Sequence, residues 1–191
     1  MLNLFLVRGG GPAPFPRTGE SGGEGMPFLY VPVARVILLS IASCGLYEAY
    51  WIYKNWRYVK EKDRSDIHPF WRGIFGVFFC HSLFRRVHKD AGMGTGQEAT
   101  FSAGGLATGW VILVILANII SRAGGVASVI AFLMPSYLFL VPVQNYVNCV
   151  TRRRNPGAEY YGWSAGHILC LVLGLVVWAL ALYTIGVELQ S

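Results

Sequence analysis

Hydrophobic positions along this chain fall in long uninterrupted tracts rather than in the one-sided stripes of a soluble helix. Residues 99–121, 123–151 and 160–187 contain no Asp, Glu, Lys or Arg. A helix needs about 20 mostly apolar residues to cross the hydrocarbon of a bilayer. Four segments meet or approach that requirement: Val31–Tyr53, Leu106–Ser121, Val126–Val147 and Ala165–Val187. The first holds Arg35 and Glu48 near its ends, where long side chains reach headgroups. Pro69–Phe84 reads differently. Only 12 uncharged residues lie between Arg72 and Arg85, too few to cross. Phe70, Trp71, Ile74, Phe75, Phe78 and Phe79 share one helical face, the pattern of an amphipathic helix lying in the interface, or re-entering it. The expected fold is an all-α integral membrane bundle over residues 26–191, with four spans and one interfacial helix.

Composition agrees. Hydrophobic residues make up 54% of the 191 and charged ones only 14%, well below a soluble domain's share. This excludes a soluble globule, a disordered chain and a nucleic-acid binder of the basic-patch kind. Residues 1–25 are rich in Gly and Pro and lack the apolar run of a signal peptide. They read as a disordered tail, with Met26 as the expected true start. The net charge of +6 is unevenly placed. Nine of the 16 Lys and Arg lie between Lys54 and Lys89, and Arg152, Arg153 and Arg154 follow the third span. The positive-inside rule then puts those loops in the cytoplasm of a bacterial inner membrane and both termini outside it. Trp51, Trp56 and Trp71, with Arg72, Arg85 and Arg86, are expected at the interface against anionic inner-leaflet lipid.

The first span closes with GLYEAYWIYKNW, residues 45–56, and PFWRGIF opens the interfacial helix at 69–75. VPVQNYVN at 141–148, an Asn-Pro-Gly loop and a Trp-containing last helix follow. This order resembles a family of small bacterial multi-pass membrane proteins of unknown function, in which an apolar helix ends in Gly-(Leu/Ile)-Tyr-x-x-Tyr-Trp-x-Tyr-Lys. The resemblance covers about residues 28–187. Relatives often have Thr two positions before that Gly, where this chain keeps a hydroxyl in Ser43. It implies a multi-pass helical membrane protein and no particular activity.

Among candidate functional residues, Glu48 stands out, because an intramembrane carboxylate costs energy unless paired or protonated. No base lies one turn on, leaving Arg72 or the amides of Gln144 and Asn145 as partners, or interfacial water. Pro135 and Pro142 should each kink the third span, and freed carbonyls in such breaks often line cavities. Together with Gln144, Asn145 and Asn148 they form the candidate polar site. Gly162, Gly166, Cys170 and Gly174 recur every four residues, and Gly105 and Gly109 repeat the spacing, a small-residue face for close helix approach. His167 beside it reads as a packing histidine. Gly92, Gly94 and Gly96 read as a connector. Catalytic constellations such as HExxH or GxSxG are absent from the sequence, and no cofactor or metal is expected. The four cysteines form no CxxC pair. The leading expectation is a non-enzymatic interaction or scaffold component, partnering itself, another membrane protein or lipid. The alternative is a small transporter or channel subunit using Glu48 and the proline break. A third reading is a headgroup-acting enzyme with Asp63, Asp66 and His68.

Overall fold

A computed structural model describes residues 28–91 and 99–190. The expectations for residues 1–25, Met26 and the Gly92, Gly94 and Gly96 connector lie outside the described residues. Within them the chain is helical, with no strand. Eight helices follow in order: α1 (Val33–Ala42), α2 (Leu46–Asp63), α3 (Pro69–Ile74), α4 (Gly76–Ala91), α5 (Ala103–Ser121), α6 (Gly125–Phe132), α7 (Leu140–Arg154) and α8 (Ala165–Glu188). Three described segments are long and apolar enough to cross a membrane: α5, the combined Gly125–Arg154 stretch and α8. They expose Ile112, Ile115, Ile119, Leu169, Val172, Leu173, Leu175 and Leu180 around the outside. The far more polar α2 is enclosed, burying Tyr47, Glu48, Trp51, Ile52, Lys54, Asn55 and Trp56. Apolar outside and polar inside suits a hydrocarbon solvent, which a multi-pass membrane protein meets.

Val31–Tyr53, expected to be one span, is two helices folded back on each other. α1 has ten residues, about 15 Å, half the hydrocarbon thickness. It ends where Cys44 (φ 51°) and Gly45 (φ 83°) take left-handed backbone conformations, which glycine adopts without a Cβ penalty. The Gly45 N–H reaches back to the Ser40 carbonyl at 2.9 Å and closes the end of α1. Ser43 Oγ accepts the Tyr47 N–H at 2.8 Å and starts α2. Both ends of the hairpin lie at the same end of the bundle. Arg35 donates to the Tyr161 carbonyl, the Tyr161 N–H to the Tyr30 carbonyl, and Lys54 to the Tyr161 hydroxyl. The tip lies far along α8: Gly174 abuts Ala42 and Ser43, and the Trp178 indole donates to the Ile41 carbonyl.

Pro69–Phe84 is also two pieces, α3 and α4, hinged at Phe75, and α4 runs on to Ala91. Gly73 lies against Ala49 and Tyr53, and Gly76 against Ile52 and Trp110, so this second hairpin nests on α2. Its far end returns to the first hairpin's base, where Arg86 pairs with both Asp63 and Asp90, and Lys62 with Asp90. Burial alone would raise the Asp90 carboxyl, but hydrogen bonds from Arg86 and Lys62 outweigh it and hold the group below its usual range. Arg154 donates to the Asp90 carbonyl, so the end of α7 joins the same basic end.

The third span is broken once. α6 stops at Phe132, a 3-10 turn covers Ser136–Phe139 and α7 follows directly. The break sits at Pro135. Pro142 makes none, because it falls in the first turn of α7, where a missing N–H costs nothing. At the opposite end of the bundle, Glu188 lies against Gly124 and Gly125. Phe28 and Glu188 therefore lie at opposite ends of the bundle, not at the same one as four crossings require.

Candidate functional site

The tip of the first hairpin, the hinge of the second and the Pro135 break converge at mid-bundle. Glu48 sits there, in the first turn of α2, and is only 3% exposed. Its N–H bonds the Gly45 carbonyl, and its carboxylate faces the positive end of the helix dipole. One carboxylate oxygen accepts the Trp110 indole N–H from α5. The other accepts the Ser136 hydroxyl at 2.7 Å. Both donors are neutral, and among the described residues no basic side chain forms an ion pair with Glu48. The expected partners lie elsewhere. The Arg72 guanidinium stacks 4.2 Å above the Trp56 ring, and Asn145 is exposed on α7.

Beside Glu48 opens a cavity of about 310 Å³, reached from outside rather than sealed. Gly45, Gly76, Trp110 and Ser136 line it at the carboxylate. It continues along α5 past Asn118 to Ser121, toward the end of the bundle away from the basic residues. At the first hairpin turn a Cβ on Gly45 would meet nothing within 4 Å, so the backbone there is left open, whereas Gly76 is buried against Ile52 and Trp110.

The other amides expected at this site do different work. Gln144 is fully buried; its Oε1 accepts the Trp51 indole N–H at 2.6 Å, and its Nε2 donates to the Leu29 carbonyl at 3.0 Å. Asn148 donates to the Val31 carbonyl at 2.8 Å, and Asn55 accepts the Leu29 N–H at 3.0 Å. Phe28, Leu29, Tyr30 and Val31 lie outside any helix and are buried, so their backbone needs partners that neither helix nor water supplies. Asn55, Gln144 and Asn148 supply them. The candidate set thus divides: Glu48 lines the cavity beside the Pro135 break, Gln144 and Asn148 tie residues 28–31 into the core, Asn145 faces out and Pro142 lies inside α7.

Interface expectations divide as well. Trp51 is fully buried and Trp56 is 4% exposed, so neither belongs to an outer belt; of these three Trp71 alone is open, at 55%. They are buried because α2 is the innermost helix. Arg85 is exposed, whereas Arg86 is taken up by two carboxylates. The small-residue face of α8 is occupied within the chain. A Cβ at Gly166 would strike the Tyr50 ring, one at Gly174 the backbone of Ala42 and Ser43, and Cys170 is buried between them. Gly109 receives the Phe139 ring. Gly105 belongs to the Ser102 cap of α5, and a Cβ at Gly162 would meet nothing within 4 Å. His167 is buried among Tyr47, Tyr50, Tyr161 and Trp163, with Nδ1 taking the Ser164 N–H. Asp63 is held by Arg86 while Asp66 and His68 are exposed. Among the described residues no three His, Cys, Asp or Glu side chains cluster as a metal would require.

Trp110 and Ser136 are the site residues that sequence reasoning did not select. Trp110 reads as one more interfacial aromatic, and Ser136 as an ordinary small residue after a proline. Compared with known families, curated proteins and solved structures, the chain matches none.

Proposed function

We propose that this protein is a small, non-enzymatic solute-binding membrane protein, a transporter or channel subunit, whose binding group is the Glu48 carboxylate. One observation carries the reading: a buried carboxylate, held only by neutral donors, borders an open cavity where two helix breaks and a glycine hinge meet. Broken helices at mid-depth are where transporters place ions and substrates, because unwound backbone is tolerated there only around a cavity. The carboxylate selects a cation, and about 310 Å³ admits a monovalent ion with water or a small organic ammonium. Phe132, Met134 and Tyr137 in the lining suit the apolar part of an organic cation. The scaffold reading loses its main support, because α1 and α2 already cover Gly166, Cys170 and Gly174.

In this reading three segments cross the membrane, and the α1–α2 and α3–α4 hairpins enter from one side and return to it. Lys62, Arg86 and Arg152–Arg154 gather at that side, which the positive-inside rule makes cytoplasmic. Phe28 is then cytoplasmic, Glu188 lies on the opposite face, and the Glu48 cavity opens away from the cytoplasm. The setting is a bacterial inner membrane, in line with the resemblance carried by residues 45–56.

The test is calorimetric binding to the purified full chain in detergent, with sodium, methylammonium and guanidinium as separate probes. A saturable signal that Glu48→Gln abolishes supports the reading. Equal signals in both proteins, or none with any probe, overturn it.

A further inference from the structure

A second site lies at the opposite depth, among residues the Glu48 reading does not use. A groove of about 540 Å³ runs between the start of α1 and the last three turns of α7. Pro32 and Val33 form one wall. Asn145, Arg152 and Arg153 form the other, on a single face of α7. No carboxylate lines it.

Three features give the groove its chemistry. The Arg152 guanidinium is steadied by the Tyr160 hydroxyl at 3.2 Å, and the Tyr160 ring stacks on Tyr30 at 4.4 Å. This cation is therefore oriented rather than free. Arg153 and Asn145 are exposed and have no side-chain partner among the described residues, which leaves their donors available. Pro32 caps α1 without any side-chain hydrogen bond, so the positive end of that helix opens onto the same space. Two fork-shaped donors, a neutral amide and a helix start around one concavity match the tetrahedral oxygens of a phosphate group. Lys62 and Arg86, at the same end of the bundle, are by contrast paired with Asp63 and Asp90.

We propose that this groove binds a phosphate-type anion, either the headgroup of an anionic phospholipid or free inorganic phosphate, between Arg152, Arg153 and the start of α1. The apolar Pro32 and Val33 wall gives an acyl-linked glycerol somewhere to rest. Because the 3-10 turn that holds Ser136 runs directly into the other end of α7, occupancy of the groove also braces the helix on which one donor to Glu48 is mounted.

The experiment is native mass spectrometry of the full chain in detergent, titrated separately with phosphatidylglycerol, phosphatidylcholine and inorganic phosphate. Phosphatidylglycerol adducts should persist at concentrations about tenfold lower than phosphatidylcholine adducts, with loss of two charge-assisted contacts in Arg152→Gln/Arg153→Gln costing about tenfold or more. Cys149→Trp, which fills the groove without altering charge, should cost as much. Lys60→Gln/Lys89→Gln removes two cations from the same end of the bundle and should change little. Arg153→Gln alone, at an exposed and unpaired position, covers the case in which the double variant does not fold. Phosphate adducts that displace phosphatidylglycerol identify free phosphate as a second source of the same chemistry. The proposal fails if the wild type shows neither a phosphatidylglycerol preference nor a phosphate adduct. It also fails if the Lys60/Lys89 variant loses as much as the arginine variant, or if filling the groove has no effect.

Discussion

Replacing Glu48 separates what its carboxylate does for the fold from what it does for a ligand. Leucine has similar bulk and accepts no hydrogen bond, so Glu48→Leu leaves the Trp110 indole N–H and the Ser136 hydroxyl buried without their acceptor. On the soluble-protein scale each stranded donor costs about 1–3 kcal/mol, together about 2–6. Membrane double-mutant cycles run lower, about 0.6 kcal/mol per bond, because the unfolded chain in a bilayer also finds partners. Leucine also relieves the burial of a carboxylate, which offsets part of the loss. A charged acceptor shared by two donors belongs toward the higher scale, and a net loss of about 2 kcal/mol is expected. Glutamine behaves differently. Its oxygen can take the Trp110 N–H while its amide donates to Ser136 Oγ, so both bonds survive with reversed polarity at the serine. Glu48→Gln should stay within about 0.5 kcal/mol of the wild type while losing cation binding. Unfolding in mixed micelles by rising sodium dodecyl sulfate, followed by far-ultraviolet circular dichroism, measures both. Equal losses in the two variants would show that charge, not hydrogen bonding, holds the site together, and would refute the reasoning.

Other consequences can be checked in the same preparation. Gly174→Ala places a methyl against the backbone of Ala42 and Ser43, which cannot step aside, and should cost about 1–3 kcal/mol, whereas Gly186→Ala meets nothing within 4 Å and should gain up to about 1 kcal/mol of helix propensity. In a cysteine-free background, Pro32→Cys and Glu61→Cys should react with an impermeant maleimide from the same side of a sealed vesicle, and Arg122→Cys from the other; opposite sidedness of the first two would replace the hairpin with a crossing. Because the folded Asp90 carboxyl lies below its unfolded value, its contribution is complete above the unfolded value near pH 4 and disappears as pH falls through the folded one. Asp90→Asn should therefore remove about 1 kcal/mol at neutral pH and flatten that acid limb in a pH series of unfolding curves.

Helices α5 and α8 are legible from hydropathy alone, because a lipid-facing helix must be apolar all round and nothing else in the chain competes with that signal. α1 and α2 are not. Val31–Tyr53 has the length of a span, yet it contains Arg35, Ser40, Ser43, Gly45 and Glu48, and Gly45 is the residue that lets the backbone reverse. Hydropathy averaged over a window hides a single left-handed position. Trp51 shows the same limit: an aromatic at a helix end is usually a belt residue, and only the long-range bond to Gln144 reveals it as core. The carboxylate was the readable part of the site, since its cost in lipid marks it without a structure. Its partners were not, because Trp110 and Ser136 are distant in sequence and ordinary in type. The amides of Gln144 and Asn148 were readable as polar residues needing partners, but their partners are main-chain groups at Leu29 and Val31, which no side-chain pattern announces.

The tip formed by Ala42, Ser43 and Gly45 rests in a notch that Gly174 supplies, close to the end of the chain. A ribosome delivers these pieces in the wrong order: the tip emerges first and its seat well over a hundred residues later. Until then the ten-residue α1 has no resting place of its own depth, and the tip's polar groups must wait in water or against the insertion machinery. The α1–α2 hairpin can settle only after α8 has been made, so a premature stop before α8 should leave that hairpin orphaned and exposed to membrane proteases.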